Sequence, residues 1–230
     1  SAFEYTTVML REIDRLNALL QQLLQLSPPP ALAGSPHNVH KILTEVLLLE
    51  REIAPKGVKI IQQFDPSLPD TLGDESQLMQ VFRNIIKNGL QALTTVRGGV
   101  LTIATRMATD FHILRSHDFE SADPTQFITG APTSSVPRPS KAQTNASSGT
   151  SLSASRPPRL LAVTFSDNGP GITPEHLPHL FTPFFTTKTH GTGLGLAISQ
   201  RIIAHHGGTL RVESTLGHGT TFSVYLPVVP

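Results

Sequence analysis

The chain contains no cysteine, which excludes a disulfide scaffold, a thiolate zinc site and a cysteine nucleophile. No apolar run approaches the roughly 20 residues that a helix needs to span a bilayer, and the first residues lack the shape of a secretion signal. A cytoplasmic, soluble protein with no membrane association is therefore expected. Charge is scarce as well: charged residues make up 15% of the chain, against about 25% in ordinary globular domains. Lys and Arg total 18 and Asp and Glu 17, for a formal net charge of +1. So even a balance leaves no electrostatic footprint for nucleic acid. What the chain has in excess is Gly 17 and Pro 19 among 230 residues, above the usual combined share of about 12%. At roughly 150 residues per domain, the length suits one domain with appendages and a sizeable core.

Residues 1–27 read as one helix. Met9, Ile13, Leu16, Leu20 and Leu23 are spaced 4, 3, 4, 3, with Leu19 and Leu26 widening the seam. A partner helix and the domain's own core are both open as what covers this seam. Pro28, Pro29 and Pro30 end it, since proline has no N–H to donate. A linker over 28–37 leads to an apolar helical face from Val39 to Ile53, a strand over 58–64 and a loop at 65–70. Asp74 with Gln77 resembles a capping box that opens a long helix with Leu78, Val81, Phe82, Ile85, Ile86, Leu90 and Leu93 on one face. Strands are expected at 100–107, 160–165, 209–213 and 220–226, and a helix at 195–206. In 131–158, Ser, Thr, Pro and Ala fill 20 of 28 positions with no aromatic residue. Such a segment buries too little to offset its ordering entropy, so a disordered insert is expected at about 116–158. The element order fits an α+β, two-layer sandwich with helices on one face of a mixed sheet.

Four motifs carry chemistry. On the long helix, Asn84, Lys87, Asn88 and Gln91 share one face opposite the apolar stripe. Amide oxygens are hard ligands suited to Mg²⁺ held between a few protein oxygens and substrate phosphates, although a solvated polar face explains the same pattern. Asp167-Asn168-Gly169-Pro170-Gly171 follows a strand; its carboxylate can accept from an exocyclic amine such as adenine N6, and an ordinary turn is the alternative. Gly191-Thr192-Gly193-Leu194-Gly195-Leu196 opens a helix, so its backbone N–H groups can cradle an anion. It has neither the strand before it nor the glycine spacing of a dinucleotide fingerprint. Gly217-His218-Gly219-Thr220 adds a close backbone approach and a hydroxyl, where a tight hairpin is the plain alternative.

Taken in this order, with the Phe-rich stretch 181–185 between them, the motifs resemble the catalytic, ATP-binding domain of sensor histidine kinases, of the Bergerat ATP-binding fold. The resemblance covers about 37–107 and 159–228. It implies an ATP-binding kinase domain over 38–228, with 1–27 as the second helix of a dimerisation hairpin. It implies ATP binding by Asn84, Lys87, Asn88, Asp167, Gly169, Gly171, Ile172, Phe181, Gly191, Thr192, Gly193, Leu194, Gly195, Leu196 and Thr220. Asn88 is the implied Mg²⁺ ligand, and Asn84, Asn88 and Lys188 are the implied catalytic residues. Phe181 to Lys188 would order a lid over the nucleotide. Phe64-Asp65-Pro66-Ser67-Leu68-Pro69 and Gln80 to Asn84 are similar to the nitrogen-regulation (NtrB-type) kinases. That likeness implies a homodimer, an NtrC-like receiver domain as response regulator, and leaves room for a PII-type signal protein.

The chain departs from the family at three places. Gly89 follows Asn88 where alanine is usual, the insert is long, and none of the ten histidines precedes a Glu, so the acceptor motif His-Glu-x-x-Asn-Pro is absent. The expected function is transfer of the ATP γ-phosphoryl group to a histidine that this chain does not carry, and onward to a response-regulator aspartate. On that reading the chain does not phosphorylate itself. One alternative is an ATPase of the gyrase or MutL kind; those relatives place a Glu general base where this chain has Asn84, which cannot take a proton from water. The other is a non-catalytic nucleotide-binding or dimerising module.

Overall fold

The computed structural model describes residues 34–108, 159–188 and 191–229. The expected helix at 1–27 and the insert at about 116–158 lie outside the described residues, as does His190. Ser35–His37 form a short strand, β1, so the expected linker is ordered at its end; β1 pairs antiparallel with β3 (Thr71–Gly73). Three residues are too few for alternation to show in the sequence.

Helix α1 (Val39–Ile53) starts at Asn38, whose Oδ1 accepts from the Lys41 N–H at 3.2 Å. Val39, Ile42, Leu43, Val46 and Leu47 are buried on its inner face. Helix α2 (Glu75–Ala92) is capped by Asp74, whose Oδ1 accepts from the Gln77 N–H at 3.1 Å. The reciprocal bond of a full capping box is absent. The Asp74 N–H instead donates to His206 Nε2 at 3.0 Å. His206 is buried, and its Nδ1 lies 2.7 Å from the Ile202 carbonyl. An N–H can only donate and a carbonyl only accept, so the ring is neutral with its proton on Nδ1. His206 closes helix α3 (Gly195–His205), so one imidazole joins the end of α3 to the start of α2.

The remaining strands are β2 (Lys59–Gln63), β4 (Val100–Met107), β5 (Leu160–Asp167), β6 (Thr209–Thr215) and β7 (Gly219–Pro227). They form one five-stranded sheet in the order β2-β4-β5-β7-β6; β2 and β4 run parallel and the other pairs antiparallel. Side chains alternate across a strand. Leu101, Ile103, Leu161, Val163, Phe165, Phe222, Val224 and Leu226 therefore share the face that joins α1, α2 and α3 in a single core. Thr102, Thr164, Ser166, Thr221 and Ser223 fall on the opposite face. This is the two-layer α+β sandwich with a mixed sheet.

Register places the functional end. Asp167, the last residue of β5, pairs with Leu101 on one side and Thr220 on the other. At the far end of the same strand, Met107 pairs with Leu161, and the Ala108 N–H donates to the Leu160 carbonyl at 2.8 Å.

Candidate active site

The polar face of α2 and the functional end of β5 bound a cavity of about 470 Å³, a size ordinary for a small-molecule site. From α2 come Asn84, Lys87, Asn88 and Gln91; Asp167 and Thr220 come from the sheet, and Gly191, Thr192, Gly193, Gly195 and Leu196 from the turn into α3. Gly171, Ile172 and Lys188 complete the lining among the residues expected from sequence. The helical repeat explains the first group: positions 84, 88 and 91 stack along one side while Leu78, Val81, Ile85 and others fill the core.

At the sheet end, one carboxylate oxygen of Asp167 accepts from the Gly169 N–H at 2.9 Å. Burial raises the pKa of this group above the usual carboxylate value, and the Gly169 and Thr220 N–H groups work against that rise. It is a half-buried acceptor held in place by backbone. The turn that follows is clasped by the β6–β7 hairpin. The Gly217 N–H donates to the Pro170 carbonyl at 2.7 Å, and Gly171 (φ +71°) lies so close to Thr215 that a Cβ there would meet its carbonyl oxygen at 2.2 Å. Asn168 faces away from the cavity and serves the fold: its Oδ1 accepts from the Val100 N–H at 2.7 Å.

The other end of the cavity is built for negative charge. Helix α3 has no side-chain cap at its N-terminus, so the N-cap residue offers its first backbone N–H groups no side-chain acceptor. Asn84 Nδ2 donates to the Gly195 carbonyl at 2.8 Å and lies 3.2 Å from the Ser199 hydroxyl, binding α3 to α2 at this point. Gly193 has φ +67°, and a Cβ on it would sit 2.3 Å from the Phe184 carbonyl carbon. Phe184 itself takes φ +68°, and its N–H donates to the Gly193 carbonyl at 3.0 Å. The turn and the Phe-rich segment are thus locked back to back.

Lys188 crosses from that segment to α2. Its Nζ donates to Asn88 Oδ1 at 2.7 Å and to Gln91 Oε1 at 2.6 Å. Lys188 lines the cavity. Loss of water, and then the neighbouring Lys87, hold its pKa below the ordinary lysine value.

The family of histidine kinase-, DNA gyrase B- and HSP90-like ATPases matches residues 140–230. The sensory histidine kinase/phosphatase NtrB of Vibrio alginolyticus is 34% identical over 229 residues, 100% of this chain and 53% of that protein. The sensor histidine kinase ZraS of Klebsiella oxytoca is 30% identical over 228 residues, 99% of this chain and 38% of that one. Residues 140–230 match that ATPase family, and the whole chain is similar to sensor histidine kinases. It spans about half the length of the NtrB relatives it matches. The solved structure of the histidine kinase ThkA in complex with the response regulator protein TrrA shares the fold, with a TM-score of 0.62 at 21% identity over 98% of this chain and 51% of that one.

Three residues expected from sequence do not line the cavity. Gly169 supports Asp167 from behind. Phe181 packs partly buried against the core, and Leu194 is fully buried in it. Phe185 lines the cavity instead, with His176 and Leu180; the His176 and His179 rings lie 5.6 Å from the Phe185 ring. A Phe-Phe pair does not reveal which ring turns inward, and no periodicity marks His176 or Leu180. Phe222 also lines it, and strand alternation from Thr220 was the signal for it. The donor set suits Mg²⁺: Asn88 Oδ1 and Gln91 Oε1 already accept from a cationic group, and they are hard oxygens of the kind that share the ion with phosphates. Among the described residues no cluster of three or more His, Cys, Asp or Glu offers another ion site, and no helix is long and apolar enough to cross a membrane.

Proposed function

We propose that this domain binds Mg-ATP and transfers the γ-phosphoryl group to a histidine on a partner segment. The supporting observation is the polarity of the cavity. A fixed carboxylate lies at one end, while an uncapped helix N-terminus, a glycine turn, two amide oxygens and a lysine ammonium lie at the other. An adenine amino group fits the first end and a polyphosphate the second. Phosphoryl transfer asks a protein chiefly for positioning and charge stabilisation, and these are the groups present. Asn88 would hold Mg²⁺, which when bound would supply positive charge to offset that of the phosphates. Lys188, which can leave the amide oxygens, is placed to follow the γ-phosphate. An acceptor imidazole nitrogen forms the new P–N bond in line as the bond to the β-phosphate breaks, and ADP leaves. Asn84, with its amide N–H groups given to Gly195 and Ser199, offers no base to activate water; this favours transfer over hydrolysis.

The identity with NtrB over the whole chain supports the finer reading: a cytoplasmic homodimeric kinase in nitrogen regulation, responsive to a PII-type protein, whose phosphoryl group passes to an NtrC-like receiver aspartate. ThkA is found with a response regulator, in keeping with such a partner. The test is to incubate the chain with labelled Mg-ATP, alone and with a separate protein carrying an acceptor hairpin. Acid-labile phosphate on the hairpin protein only is the expected result. Steady phosphate release with no labelled hairpin would overturn the reading in favour of an ATPase.

A further inference from the structure

Ser214 stands on β6 and does not line the cavity. Its hydroxyl nonetheless meets three groups at the carboxylate end of the site. It accepts from the Ile172 N–H at 2.8 Å, lies 2.9 Å from the Gly219 carbonyl, and lies 2.9 Å from Thr220 Oγ1. A serine hydroxyl has one proton and two lone pairs. The Ile172 N–H can only donate, so it takes one lone pair. The Gly219 carbonyl can only accept, so it takes the proton. The second lone pair can then be used only by the Thr220 proton. All three contacts are satisfied together in just this arrangement, and it turns the lone pairs of Thr220 Oγ1 away from Ser214. Thr220 lines the cavity and pairs in register with Asp167.

We infer that Ser214 is a positioning residue that fixes the Thr220 hydroxyl as an acceptor, so that the site selects a purine bearing an amino group at C6 over one bearing a carbonyl there. The inference rests on reading the cavity as a nucleotide site. Asp167 and Thr220 then form two acceptors at the base end. An amino group has two N–H bonds to offer them, whereas a carbonyl oxygen meets lone pairs at both. With Ser214 absent, the Thr220 hydroxyl is free to rotate and donate to that oxygen.

The experiment measures dissociation constants for ATP and for inosine triphosphate, which carries a carbonyl at C6, by calorimetry on the full chain. The natural chain should prefer ATP. Ser214→Ala should shrink that preference about five- to tenfold, the size of one neutral hydrogen bond gained by the wrong base. Ser214→Thr, which keeps the hydroxyl, should preserve the preference, and Thr220→Val should shrink it as well. Proportional weakening of both nucleotides in Ser214→Ala, with the preference intact, would show a merely structural role and overturn the inference. An unchanged preference in Thr220→Val would also overturn it. If Ser214→Ala does not fold, Ser214→Cys, a weak donor and acceptor of similar size, is read in the same way. Failure of the natural chain to bind either nucleotide would instead overturn the nucleotide reading itself.

Discussion

Replacing His206 by leucine should cost the domain about 1–3 kcal/mol at pH 7.5, the usual penalty for one buried backbone donor left without a partner. The structure limits the damage to that one group. The Asp74 N–H loses its acceptor at 3.0 Å, whereas the Ile202 carbonyl keeps the backbone N–H of residue 206 at 3.1 Å. Leucine fills much of the ring's volume, so the cavity contribution is small. The natural chain should also lose stability as pH falls, and the variant should lose less. Burial, helped by His205 and His37 and opposed by the Ile202 carbonyl and Asp74, holds the His206 pKa below its ordinary value of 6.5. The unfolded chain therefore takes up a proton near that value while the folded chain resists. The stabilisation is complete above it and is lost as pH falls from there towards the folded pKa. His40 is shifted in the same direction by burial, so both proteins retain a residual slope. Urea unfolding followed by circular dichroism at pH 7.5 and 5.5 reads both effects. With an m value of roughly 1–3 kcal/mol/M, the midpoint should fall by about 1 M at pH 7.5. Equal slopes in the two proteins, or a loss under about 0.5 kcal/mol at pH 7.5, would refute the reasoning.

Two further substitutions probe the phosphate end. Asn88→Ala removes the amide oxygen that Lys188 now meets, so ADP affinity should no longer respond to Mg²⁺. A gain of at least tenfold in the natural chain on adding the ion, roughly 1.4 kcal/mol, should vanish in the variant, and its persistence by calorimetry would remove Asn88 from the ion's shell. Gly193→Ala places a methyl against the Phe184 carbonyl in a left-handed backbone position. Strain of about 1–3 kcal/mol should displace the turn and weaken nucleotide binding tenfold or more, with little change in the α2–sheet core; unaltered affinity would show that the turn is not part of the site.

How much of this was legible in the sequence follows from which forces were local. The face of α2 was readable because helix geometry alone stacks residues 84, 88 and 91. Asp167 was suggested only by its order among the other motifs, since on its own an ordinary turn explains the same residues. His206 was not. Its partner is 132 positions away, and nothing in His205-His206 says which ring turns inward. The capping pair Asp74 and Gln77 suggested a closed local motif, yet a long-range acceptor replaced its second half. Ser214 was hidden for the same reason: its importance lies in a valence count among Ile172, Gly219 and Thr220 that exists only after the β6–β7 hairpin has folded over the Gly171 turn. The roles of Phe181 and Phe185 depend on the positive φ of Phe184 between them, a backbone choice that no side-chain pattern announces.

Strand β5 has two ends with different obligations. Asp167 closes one. At the other, the chain leaves at Ala108 and returns at Arg159 across a hydrogen-bonded rung. Seven residue steps lead from Leu160 to Asp167, about 23 Å of strand at roughly 3.3 Å each. Whatever lies between 108 and 159 enters and leaves through neighbouring positions, so its length hardly alters the geometry that the sheet must hold. The rung acts as a socket: evolution, or a protein engineer, can exchange what is plugged in there while the chemistry at the opposite end keeps its shape.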